Sequence, residues 1–347
     1  MSPLRFRSWL LFLGVCLLVV DPGHGLARSP LYTIVKRIPI GAPDKWDLLT
    51  FDPSTQRVYV AHWTETTVVD YRAGKVVGRL TGLSGAHGQA IVPALRRGYA
   101  DSGLSGLVTI FDTATLKPIK TVSADDDADV MISDPTSHHV FVMNGDSKNA
   151  TVIDTADDRT STFSLGGAPE AGATDDRGGL FVNIESTQEI VRIDTATAKI
   201  EARWPIPSCV LPHGMAIDTN TRRLFVSCAN ERLIVVDADT GKIVTTLPIG
   251  KGTDGAAFDP KRKRIFSSNG DGTLSVIAER GANRFVPLAT VTTAPGARTM
   301  TIDPGSGRLF LVAGDVAKTG APKRPGGPPQ FTYVPGSAKL LVLDPAR

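Results

Sequence analysis

RLFVSCANERLIVVDADTGKIVTTLPIG, Arg223 to Gly250, is the stretch whose reading decides the fold. It contains a short apolar strand, a polar loop, an alternating strand closed by Asp237, a turn and a further strand. The same order recurs as RVYVAHWTETTVVDYRAGKVVGRL (Arg57 to Leu80) and as HVFVMNGDSKNATVIDTADDRTSTFSLGG (His139 to Gly167). The aspartate closing the third strand falls at Asp70, Asp112, Asp154, Asp194 and Asp237, in steps of 42, 42, 40 and 43 residues. Ala278 takes its place in a sixth unit, and Asp344 ends a seventh after an insertion.

A second series ends the first strand of each unit: Asp52, Asp134, Asp175 or Asp176, Asp218, Asp259 and Asp303, with Val92-Pro93 standing in for the second unit. Both series count to seven. Four strands per unit at a period of 40 to 45 residues predict an all-β, seven-bladed propeller of four antiparallel strands per blade. The segment YTIVKRIPIGAPD (Tyr32 to Asp44) matches the fourth strand of other units, whereas the seventh unit ends with a third strand, Lys339 to Asp344. The N-terminal strand is therefore expected to complete the last blade, leaving no open sheet edge between the chain ends.

The pattern R-[LV]-[FY]-V, then V-x-D-x-x-x-G-K and [LP]-I-G, resembles the YVTN-repeat, YncE-like propeller family. The resemblance runs from residue 32 to 347 and implies the fold. It does not imply one activity, because such propellers serve as binding proteins, surface proteins and enzymes.

Residues 1–27 read as a secretory signal peptide. Arg5 and Arg7 precede an apolar run from Trp9 to Val20, and small residues follow at Gly23, Gly25 and Ala27. The expected location is exported, periplasmic or secreted, with residues 28–347 as the propeller. Without the first 25 residues the chain has 36 basic and 34 acidic side chains. That balance has no basic face, so nucleic acid is not an expected partner, and no later stretch is apolar enough to span a bilayer. Two cysteines remain, Cys209 and Cys228, which an oxidising compartment would join as a disulfide. The alternative is a copper or zinc site formed by both cysteines with His213.

The residue five before each first-strand aspartate is expected at the mouth of the central channel. These residues are Asp47, Asp129, Glu170, His213, Asp254 and Arg298, with His87 at the matching place in the second unit. All seven are charged or titratable. His87, Asp129, Glu170 and His213 are consecutive around the channel, and two imidazoles with two carboxylates suit a divalent transition metal. Asp129 or Glu170 would then be the candidate general base. Arg298, with Asp47, Asp254 and the adjoining Trp46, would contact a small anionic ligand. The plainer reading is a water-filled polar channel whose charges satisfy one another.

Trp63 and His62 fall in a loop on the same face. A Pro/Gly-rich insertion, about 315–336, would overhang the mouth as a lid, as a flap for a protein partner, or simply as a mobile loop. The functions that follow are a binding propeller for a small ligand or metal, a metal-dependent hydrolase of lactonase type, or a non-catalytic docking propeller. The chain has no G-x-S-x-G, no CxxCH and no phosphate loop.

Overall fold

The computed structural model describes residues 30–322 and 329–346. The segment expected as an export signal lies outside the described residues. Seven four-stranded antiparallel sheets succeed one another along the chain. The fifth is representative: Pro212–Asp218, Arg223–Cys228, Arg232–Asp237 and Ile243–Pro248 lie side by side in chain order. The seventh is built from Met300–Asp303, Arg308–Ala313, Lys339–Pro345 and then Tyr32–Pro39. Tyr32 pairs with Pro345 and Pro39 with Lys339, so the N-terminal strand closes the last blade as the repeat count requires.

The second strand of every blade carries one aromatic residue: Tyr59, Tyr99, Phe141, Phe181, Phe225, Phe266 and Phe310, all fully buried. Each packs into the next blade. Phe181 lies with Leu224 and Val226 of the fifth blade, Phe266 with Leu309 and Leu311 of the seventh, and Phe310 with Val58 and Val60 of the first. Burying such a ring contributes about 2–3 kcal/mol, and seven of them in a closed circle bind each blade to its neighbour.

Polar contacts repeat the pattern on the face away from the charged ring. Arg222 reaches Asp175 of the preceding blade at 2.6 Å, and Lys263 reaches Asp218 at 2.7 Å. The first-strand aspartates cap their own turns, as when Asp52 accepts from the Ser54 N–H at 2.8 Å. The third-strand aspartates do the same, as Asp237 does for Thr240 at 2.9 Å. Where the second blade lacks the aspartate, a short 3-10 turn, Pro93–Leu95, replaces the Asx turn.

The insertion is more than a plain loop at its described ends. Val316–Gly320 pairs with Gln330–Tyr333 as a two-stranded hairpin. Among the described residues no helix is long and apolar enough to cross a membrane. Cys209 and Cys228 form a disulfide, buried in the core of the fifth blade, so neither offers a thiolate to a metal. The bridge ties the loop leading to His213 onto the second strand of that blade. With the cysteines 19 positions apart, removal of the bond in a Cys209→Ala/Cys228→Ala variant should cost about 3 kcal/mol. Urea unfolding would measure this, and an unchanged midpoint would show that the bond adds no stability.

Candidate functional site

The seven ring residues lie at one end of the inner strands, as the pair Asp47–His87, the chain Glu170–His213–Asp254–Arg298, and Asp129 between them. Asp129, Glu170, His213 and Asp254 are the second residues of their inner strands, whereas Asp47, His87 and Arg298 lie two residues before theirs. Where the backbones approach most closely, the residue after the ring residue is glycine. A Cβ on Gly88 would lie 2.5 Å from the Asp129 carbonyl oxygen, and one on Gly214 would lie 2.4 Å from the Ala256 nitrogen.

His213 sits between two carboxylates from the blades on either side. Its Nδ1 is 3.2 Å from Glu170 Oε1 and 3.4 Å from Asp254 Oδ1. Burial alone would lower its pKa, but the hydrogen bond to Glu170 and the charge of Asp254 outweigh it and hold the imidazole at about 9. Arg298 extends the chain of charges, with Nε 2.9 Å from Asp254 Oδ2. The buttresses come from second strands: Asn183 donates to the His213 carbonyl at 2.7 Å, and the Ser268 hydroxyl donates to the Arg298 carbonyl.

His87 belongs to a different group. Its Nδ1 donates to Asp47 Oδ2 at 2.9 Å, and its ring meets Trp63 edge-on at 5.9 Å. Its backbone is fixed by Asp101, a fully buried residue that accepts the His87 N–H at 3.0 Å and the Gly88 N–H at 2.7 Å. Asp129 lies between the two groups. Burial, followed by the charges of Asp47, Glu170, Asp101 and Asp127, pushes its carboxyl well above the usual range, and burial also raises Glu170.

The quartet His87, Asp129, Glu170 and His213 is thus not the set whose ligand atoms come together. Among the described residues, Glu170, His213 and Asp254 are the group with one ligand atom each, all within 4.8 Å of one another. The difference arises because each imidazole takes the carboxylates of the blades beside its own. His87 turns back to the first blade and so leaves the metal-like group.

A cavity of about 580 Å³ opens beside these groups. Its walls include Trp46, Asp47, His87 and Arg298, and the hairpin contributes Phe331 and Tyr333. Trp46 packs against Tyr333 in a tilted arrangement, with ring centroids 4.6 Å apart and planes at 41°. It therefore contacts the hairpin while also forming part of the cavity wall. Asp44 fixes the hairpin's base by accepting the Gly336 N–H at 2.6 Å. Trp63 receives the Lys45 ammonium on its face. His62 is buried away from the ring, hydrogen-bonded to Thr67 at 2.9 Å, and burial lowers its pKa.

The repeat pattern alone does not mark Asp101, Asn183 and Ser268 as site residues. The signal was present all the same: each lies two residues after the buried second-strand aromatic, at places where apolar strand residues would otherwise stand.

No family model matches the chain, and no curated protein matches it in sequence. Solved structures do. A chain from a crystal structure of the mitotic checkpoint complex superposes with a TM-score of 0.72 at 14% identity, covering 95% of this chain and 98% of that one. A chain of hydrazine synthase from Kuenenia stuttgartiensis gives 0.69 at 15% identity, covering 77% and 92%. The likeness is one of fold.

Asp101 provides a test of the buttress. Burial raises its carboxyl to about 8, against the pull of the two N–H donors. A folded-state value above the unfolded one means that stability is full at low pH and falls as pH rises from about 4 to about 8. Asp101→Asn should flatten that slope and keep an acceptor for the backbone. Asp101→Ala leaves both N–H groups unpaired and should cost roughly 2 kcal/mol more than the Asn variant. Unfolding titrations at pH 5 and pH 8.5 would measure both effects, and equal slopes in wild type and Asn variant would refute the assignment.

Proposed function

We propose that this chain is an exported binding propeller of the YVTN/YncE-like kind, which holds a small anionic ligand at the channel mouth. The observation that carries the reading is the position of Arg298. Arg298 lines the same cavity as the hairpin, and its guanidinium is at the same time the ion partner of Asp254. A carboxylate or phosphate in the cavity would meet a planar donor that Asp254 has already oriented. The repeat pattern supports the family reading, and the disulfide fits an oxidising compartment.

One observation favours a second reading, a divalent cation held by Glu170, His213 and Asp254. Two carboxylates and one imidazole balance a 2+ charge and match the donor preferences of zinc, manganese or iron. Without a cation, the proton on His213 does the same electrostatic work between the two carboxylates. When bound, such an ion would polarise a carbonyl or activate water, which is the chemistry of the metal-dependent hydrolase alternative. The chain's own contribution is to hold the three donors and, through Arg298, to orient an anionic partner beside them.

Two measurements separate the readings. Thermal unfolding with a panel of mono- and dicarboxylates and inorganic phosphate should show stabilisation by at least one anion, worth about 2.7 kcal/mol at a hundredfold excess over Kd. Arg298→Gln should weaken that binding tenfold or more. An anion series without effect on the wild type would sink the ligand reading. Metal analysis of protein purified without chelator should find the ion retained in His87→Ala and lost in His213→Ala. Absence of metal from the wild type would remove the second reading alone.

A further inference from the structure

We propose that Asp47 and His87 form a proton-transfer dyad, with which the propeller hydrolyses carboxylate-bearing esters without a metal. The geometry has the parts such a dyad needs. The His87 Nδ1–H is directed to the Asp47 carboxylate at 2.9 Å, which leaves Nε2 as the ring nitrogen available for proton transfer. Both members are held from behind. Asp101 anchors the His87 and Gly88 N–H groups, while the Asp47 N–H donates to the Ala61 carbonyl at 3.0 Å and the Asp47 carbonyl accepts from Thr299 at 2.8 Å. Trp63 meets the His87 ring edge-on and limits its rotation. Asp47, His87 and Arg298 all border the one cavity, and Phe331 and Tyr333 of the hairpin line it.

This is the arrangement of a base, an orienting acid and an anchor for a charged substrate. An interblade tie would need the Asp47 contact alone. It would not need a buried carboxylate fixing the backbone behind the imidazole, nor a cavity in front of it.

The reaction balances with water as the only co-reactant. Neutral His87 Nε2 takes a proton from water as the water oxygen bonds to the ester carbonyl carbon, and the carbonyl electron pair moves onto its oxygen. The tetrahedral adduct then collapses: the carbonyl re-forms, the acyl C–O bond breaks, and the leaving alkoxide takes the proton from Nε2. One ester and one water give one acid and one alcohol, with no change of oxidation state, and His87 returns to its neutral form. Asp47 is a positioning residue, since it acts through the imidazole. Arg298 takes the substrate's separate carboxylate, and for this anchor alone the proposal rests on the anion reading above.

The groups facing His87 set the pH response. They are Asp47 from the segment before the first blade, Asp101 from the second strand of its own blade, and Asp127 from the loop leading to the third. The hydrogen bond to Asp47 raises the His87 pKa, burial lowers it, and the charges of Asp101 and Asp127 raise it again. The base form is therefore gained as pH rises, and the rate should climb to an alkaline plateau.

The test is a pH-stat assay of the full-length chain, treated with chelator, on short aliphatic esters with and without a second carboxylate. Wild type should release acid from the carboxylate-bearing esters. His87→Gln should lose at least a hundredfold in kcat while unfolding within a few degrees of wild type. Asp47→Asn should move the limb of the pH profile to lower pH, a change that a purely structural tie would not produce. Arg298→Gln should raise KM for the charged ester and leave that for the neutral one unaltered. Wild type without turnover, while a carboxylate still stabilises it against heat, would overturn the dyad and leave the binding reading standing. Turnover abolished by chelator would assign the chemistry to a metal instead. An unmoved pH limb in Asp47→Asn would overturn the role of the pair.

Discussion

The structure depends on one repeated contact, the aromatic ring on each second strand packed into the blade that follows. A four-stranded sheet of this size cannot bury both faces by itself, so each blade is stable only against its neighbours. The contact also sets the distance between adjacent inner strands. The ion pairs at the channel mouth are contacts between blades: His213 with Glu170 and Asp254, Arg298 with Asp254, and His87 with Asp47. Closure by Tyr32–Pro39 makes the circle complete and fixes the seventh spacing with the other six.

Charge within that circle is balanced locally. Four carboxylates at ring positions would repel one another if all were ionised. The chain answers by assigning Asp254 to Arg298 and His213, and Asp47 to His87. Asp129 and Glu170 are pushed toward their neutral forms by burial. The result is a mouth that is neither a uniform acidic funnel nor a basic one. Two separate clusters lie side by side, and Arg298 links the His213 cluster to the cavity lined by the hairpin. A binding role draws on Arg298, and a metal would draw on the group behind it.

Much of the site was legible in the chain before folding. The ring column follows from counting back five residues from a repeated aspartate, and the cysteine pair from compartment and number. The buttresses were harder to read. Asp101 stands where Ala61 and Val312 stand in other blades, and a polar residue at a buried position does not reveal which backbone N–H it will satisfy. The insertion was readable as an overhang from its place in the seventh unit. The contact of Tyr333 with Trp46 depends on Gly296 and Gly314, which leave room for the tyrosine ring.

By itself the sequence determined the number of blades, the order of strands in each and the closure at the chain ends. Those features rest on local periodicity and turn chemistry, which repeat and so can be counted. Only the tertiary structure decided which ring residues meet. The ring side chains come from different blades, and whether an imidazole turns forward or back is set by blade twist and by the burial of competing charges. His87 turned toward Asp47 and His213 toward Glu170 and Asp254, a choice made by distances of a few ångströms that no spacing along the chain encodes.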